Sequence, residues 1–261
     1  MIKNKIPVGI LGATGMVGQR FVALLESHPW FEVCCIAASE KSIGKTYEEA
    51  LAGRWTQQQP IPEKIKNMVM HAVEHDAKII AKKTRHIFSA IDAEKEFIQH
   101  IEEMYATLGL PVVSNNSAHR WTKDIPMIMP EINPEHLNMI DIQRKNRGWT
   151  SGLIITKPNC SIQCYVPVLH AWNAFEPKKV IVSTYQAISG AGKTFRTWPE
   201  MVDNVIPYIG GEEEKSETEP SKIWATINNN KFHLSTTPKI SASCIRGPVT
   251  DGHMATLNIQ F

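Results

Sequence analysis

Cysteine is scarce in this sequence and unpatterned: five residues, Cys34, Cys35, Cys160, Cys164 and Cys244, share no CxxC spacing. That argues against a disulfide scaffold or a zinc site, and for reduced thiols in a cytoplasmic compartment. Charge of one sign is lacking too. A formal net charge of +2 over 261 residues is too small to argue for nucleic acid or an anionic membrane as partner. No run is long and apolar enough to span a bilayer; residues 162–175 are interrupted by Gln163, Pro167, His170 and Asn173. Near the start, Lys3 and Lys5 lead into Pro7 and a glycine-rich loop, not into the apolar region and cleavage site of a secretory signal. Repeats and low-complexity tracts are absent as well. What remains, 43% apolar and 21% charged, is the composition of a soluble globular protein long enough for two domains.

A β-rich apolar run at 7–11 is followed by Gly12-Ala13-Thr14-Gly15-Met16-Val17-Gly18 and an amphipathic stretch at 19–27. Strand, glycine loop and helix together place backbone amides and a helix N-terminus against a pyrophosphate, so this is a candidate dinucleotide site. The second strand, 31–38, ends in Ala38-Ser39-Glu40-Lys41-Ser42. An NAD site would put an acid there for the ribose hydroxyls. Ser39, Lys41 and Ser42 can instead hold a 2′-phosphate, with Glu40 turned to solvent, and the reading favours NADP. Residues 86–90 form a further strand closing on Ser89 and Ala90. An amphipathic helix spans 93–108, and a strand at 111–114 leads to Asn116 and to Ser117-Ala118-His119-Arg120. That alternation predicts an α/β fold with a parallel sheet and its ligand at the carboxyl ends of the strands. Residues 50–77 are loop-rich, broken by Pro60 and Pro62. Pro126, Pro130, Asn133 and Pro134 mark the domain change, giving a nucleotide-binding domain at 1–130 and a second at 131–261.

In the second domain the run 153–155 leads into Lys157-Pro158-Asn159-Cys160-Ser161 and then a mostly apolar segment. The pattern predicts a strand, a turn carrying Cys160, and a helix whose N-terminus biases the thiol toward the nucleophilic thiolate. A free cysteine is more often a small buried apolar residue, so the turn alone does not decide. Residues 180–186 form a β-rich run ending at Gln186, then the small residues Ser189 and Gly190, which permit close backbone approach. Glu212-Glu213-Glu214-Lys215 reads by itself as a solvated surface. Arg246 and then His253, after a glycine turn, follow near the end; a histidine there is a candidate general base.

These motifs, in this order, resemble the aspartate-β-semialdehyde dehydrogenases, most closely their archaeal and fungal branch, over essentially the whole chain. The resemblance implies a Rossmann-type domain followed by an α+β catalytic and dimerisation domain with a mixed sheet. It implies NADPH-dependent reduction of β-aspartyl phosphate to aspartate semialdehyde, in the route to lysine, threonine and methionine, and a homodimer or homotetramer. By the same resemblance Cys160 is the nucleophile, Gln186 orients substrate and His253 is the acid/base. Arg246 takes the α-carboxylate, Glu212 the α-amino group, and Lys215 and Arg120 the phosphate, with Asn116 nearby. Asn159 and the Cys160 amide are expected oxyanion donors. The cofactor set is Gly12, Ala13, Thr14, Gly15, Met16, Val17, Ser39, Lys41, Ser42, Ser89, Ala90, Ser189 and Gly190.

Three departures stand out. Members of the family continue for some tens of residues beyond the equivalent of Phe261, Gly247 replaces a β-branched residue, and Lys193 an aromatic one. They leave two rivals: a malonyl-CoA reductase, which would have no amino group for Glu212 to bind, and an inactive, truncated chain serving as a nucleotide-binding or subunit-interaction module.

Overall fold

The computed structural model describes residues 5–261. Two compact units divide the chain, one made of residues up to 126 with 138–157, the other of 127–137 with 158–261. The chain therefore passes between units at 126, 137 and 157, not once near 130 as the proline punctuation suggested.

The first unit contains, in chain order, β1 (Ile6–Leu11), α1 (Met16–Leu25), β2 (Phe31–Ala38), α2 (Tyr47–Leu51), α3 (Glu63–Lys66), β3 (His71–Ala72), α4 (Ala77–Lys83), β4 (His86–Ser89), α5 (Lys95–Thr107), β5 (Pro111–Ser114), α6 (Met139–Arg147) and β6 (Leu153–Thr156). All six strands join one sheet in the order β3-β2-β1-β4-β5-β6, and every pairing is parallel. Parallel sheets are covered on both faces, which is why β1 and β2 read as continuous apolar runs. One face buries Leu11, Cys35, Ala37, Ile87, Val112 and Ile154; the other buries Val8, Ile10, Val33, Ile36 and Ala38. The return of residues 138–157 has a simple cause. The strand β6 pairs with β5 from Pro111 to Ser114 and satisfies an edge that would otherwise be open. In the stretch 50–77 that reads as loop, the structure forms the short helix α3, with Pro62 at its N-cap.

The second unit carries α7 (Val166–Ala171), β7 (Lys179–Gln186), α8 (Glu212–Ile223), β8 (Thr226–Asn228), β9 (Lys231–His233), β10 (Lys239–Arg246) and β11 (His253–Gln260). Its main sheet has the order β10-β7-β11, with β10 parallel and β11 antiparallel to the central strand, so it is mixed as expected. Side chains alternate across a strand. The buried set of β7 is Val180, Val182, Thr184 and Gln186: two apolar residues that pack with Tyr165, Val166, Leu169 and Ile223, then two polar ones. The core thus changes into a polar site along one strand.

Candidate active site

Register assembles the centre of the site. Arg246 and His253 are the β10 and β11 partners of Gln186, so three chemistry-bearing side chains stand abreast on the inner face at one end of the sheet. Gln186 and Arg246 are buried. Cys160 reaches this row from the loop after β6, and its Sγ lies 3.2 Å from His253 Nε2. The histidine is fixed from its other side: the Ala187 amide donates to His253 Nδ1 at 3.1 Å. A ring nitrogen that accepts carries no proton, so the neutral imidazole holds its hydrogen on Nε2, facing the sulfur.

His253 has its pKa raised, first by the hydrogen bond to Cys160 and against the opposing effect of burial. A pKa raised above the unfolded value near 6.5 means stabilisation that is complete below that pH and lost as pH rises through the folded value. Serine does not ionise in this range. Cys160→Ser is therefore expected to lower the His253 pKa and flatten that dependence, read from the imidazole proton shifts in an NMR titration; an unmoved titration would show that the sulfur is not the cause.

The helix expected directly after Cys160 is not there. A single 3-10 turn at Ile162–Cys164 precedes α7, which begins at Val166 with a proline in its first turn and has 6 residues. The support for a thiolate therefore comes from the imidazole and not from a helix dipole.

Glu212, at the first position of α8, ties the row together. Its carboxylate accepts from Lys215 Nζ at 2.7 Å, from Gln186 Nε2 at 3.1 Å, and from Asn159 Nδ2, 3.1 Å from each oxygen. Burial acts to raise its pKa, but the Lys215 ammonium and the amide donors outweigh it and hold the carboxyl below the usual range. Asn159 Nδ2, the expected oxyanion donor, is directed at Glu212 in this structure. The glutamate run is not simply surface: its first member, Glu212, is buried. Arg246 Nη1 donates to the Ala187 carbonyl at 2.7 Å, and burial, working against the charges of Glu212 and Cys160, pulls its pKa down.

Gly190 permits this crowding. A Cβ built there would lie 2.8 Å from Arg246 Nη1 and 3.2 Å from His253 Cε1. Gly190→Ala is expected to fold normally and to lose about 10-fold or more in kcat, because catalytic groups displaced by a fraction of an ångström lose alignment. Parent-like steady-state kinetics would refute it.

In the first unit, a cavity of about 500 Å³ is lined by Gly12, Thr14, Gly15, Ala38, Ser39, Glu40, Arg54, His75, Ala90 and their neighbours. The residues present fit a dinucleotide. Gly12 has φ +77°, and a Cβ on it would lie 2.2 Å from the Ala90 carbonyl oxygen, so the backbone turns tightly where a phosphate must approach. The loop is braced by Gln19 Nε2 donating to the Thr14 carbonyl and by Tyr47 Oη donating to that of Ala13. Met16 and Val17 open α1, and Ser189 and Gly190 belong to the second unit. Lys41 and Ser42 do not line the cavity, Ser42 being buried in a 3-10 turn, whereas Arg54 does and went unnoticed in the sequence. The Ser89 hydroxyl is buried and accepts from Asn116 Nδ2, which also donates to the buried Glu102. Arg120 Nε donates to the Lys157 carbonyl within the same unit. No grouping of His, Cys, Asp and Glu among the described residues could hold a metal ion.

The family model for the semialdehyde dehydrogenase NAD-binding domain matches residues 7–140, and that for the semialdehyde dehydrogenase dimerisation domain matches 166–261. The chain is 41% identical over 254 residues to the aspartate-semialdehyde dehydrogenase of Archaeoglobus fulgidus, covering 97% of this chain and 71% of the relative. It is 37% identical over 264 residues to that of Saccharomyces cerevisiae, covering 97% and 70%. A crystal structure of the Candida albicans aspartate semialdehyde dehydrogenase with NADP superposes with a TM-score of 0.85 at 33% identity, covering 98% of this chain and 72% of that one.

Proposed function

This chain belongs to the aspartate-semialdehyde dehydrogenase family, and we propose that it reduces β-aspartyl phosphate with NADPH to aspartate semialdehyde and phosphate. One observation carries the reading: Cys160 Sγ sits 3.2 Å from an imidazole that is locked on its far side by the Ala187 amide. In this reading the thiolate adds to the acyl carbon. The C–S bond forms, the bond to the phosphate oxygen breaks, and phosphate leaves with the electron pair. NADPH, when bound, supplies the hydride that the thioester can accept and a carboxylate cannot. His253 Nε2–H steadies the sulfur anion both as it attacks and as it departs.

Arg246 is assigned the substrate α-carboxylate and Glu212 the α-amino group, which joins a carboxylate already kept ionised. Gln186 orients the substrate, and Lys215 serves the phosphate. The glycine loop and the start of α1 (Gly12, Ala13, Thr14, Gly15, Met16, Val17) would hold the pyrophosphate, and Ser39 with Arg54 the 2′-phosphate.

The test is NADPH formation by the purified chain given aspartate semialdehyde, phosphate and NADP. Turnover of about 1–1000 per second is expected, and folded chain without turnover contradicts the reading. A homodimer through the outer face of the mixed sheet is part of the proposal. Ile181 and Met254 on that face are 61% and 62% exposed, apolar side chains that a second copy would cover. Light scattering is expected to give twice the chain mass; a monomer at micromolar concentration would refute it.

A further inference from the structure

The α8 helix holds the nucleophile loop from beneath at three points along one face. Glu212 takes the Asn159 side chain, as described. One turn on, the Ser216 carbonyl accepts the Tyr165 hydroxyl at 3.0 Å. That carbonyl has no helical partner because Pro220, four residues later, has no N–H to give it. Two turns on from Glu212, Glu219 Oε2 accepts the Asn159 backbone N–H at 2.7 Å. Glu219 is 1% exposed and Tyr165 is also 1% exposed. Asn159 closes the arrangement, its Oδ1 accepting from the Ser161 amide at 2.9 Å and the Ser161 hydroxyl at 2.7 Å. Every one of these bonds lies within two residues of Cys160 or ends on the helix that bears Glu212.

We propose that Glu219 is a positioning residue for the reaction: by accepting the Asn159 amide it sets the loop height at which Cys160 Sγ meets His253 Nε2. The 2.7 Å bond to the buried Glu219 side-chain oxygen fixes the amide one residue before the nucleophile. The role is distinct from that of Glu212: Glu219 takes the backbone amide of Asn159, whereas Glu212 takes its side chain. The kinetic part of this inference rests on the activity proposed above; the part concerning loop geometry does not.

The test compares Glu219→Gln, which keeps an acceptor oxygen, with Glu219→Met and Glu219→Asp, which withdraw it, in the full chain. Two readouts are used: the pH profile of Cys160 alkylation by iodoacetamide, followed by peptide mass spectrometry, and kcat against KM. His253, Arg246, Glu212 and Cys164 are the titratable or charged groups whose influence on the cysteine the profile includes. In the folded Met and Asp variants the alkylation midpoint is expected to rise by about one pH unit toward that of a free thiol. In the same variants kcat is expected to fall about 10- to 100-fold with KM within about threefold. The Gln variant is expected to match the parent in both. A folded Met or Asp variant with a parent-like midpoint overturns the assignment, as does a Gln variant as impaired as the others. Alkylation needs no substrate, so a parent chain that fails to oxidise aspartate semialdehyde would refute the activity while leaving the loop measurement readable.

Discussion

Cys160→Ala is expected to abolish turnover, with kcat/KM reduced at least about 10³-fold, because the sulfur that carries the acyl group in the proposed reaction is removed. The cysteine is exposed, so the fold should be hardly affected and the melting transition should shift by no more than about 1 kcal/mol. Binding of NADP should also persist, since the cavity in the first unit contains no part of the cysteine loop. A protein that binds cofactor, melts normally and does not turn over separates loss of chemistry from loss of structure. Residual activity within about tenfold of the parent would mean that the nucleophile lies elsewhere.

The second large effect belongs to Glu212→Ala. Removing the carboxylate leaves Asn159 Nδ2, Gln186 Nε2 and Lys215 Nζ without their common acceptor. Two of those donors are buried, and a buried donor left unpaired costs about 1–3 kcal/mol. A total loss of about 2–4 kcal/mol is expected by denaturant unfolding, together with a rise in KM for the amino-acid substrate. The pH dependence has a definite sign. The carboxyl pKa is lower in the folded chain than in the unfolded one, so its contribution is present above the unfolded value near 4.3 and is lost as pH falls through the folded value. The stability difference between parent and variant should therefore narrow on acidification. A difference that widens would mean that Glu212 is not the ionised partner.

Much of this site is legible along the chain, for identifiable reasons. The two-residue alternation of 180–186 places Gln186 on the core side of its strand, and the glycine loop declares itself by standing between strand and helix. The partnership of Arg246 and His253 with Gln186 follows from register, which no local pattern states. By itself Glu212 looks like surface charge in sequence; its burial is explained by partners distant along the chain, Asn159 and Gln186. The helix anticipated at Cys160 begins only at Val166: the Ser161 amide donates to Asn159 Oδ1, and a 3-10 turn intervenes. Arg54 follows Gly53 just past a five-residue helix, in a stretch that reads as loop. The return of β6 to the first sheet depends on pairing with β5, about forty residues earlier, which no local pattern states.

The measurement that bears most directly on the central claim is covalent trapping at Cys160. Incubation with aspartate semialdehyde and NADP in the absence of phosphate should leave an aspartyl group on the peptide that contains Cys160, detected by mass spectrometry. Adding phosphate should discharge it. An acyl group on any other residue, or steady turnover by the Cys160→Ala chain without one, would contradict the account.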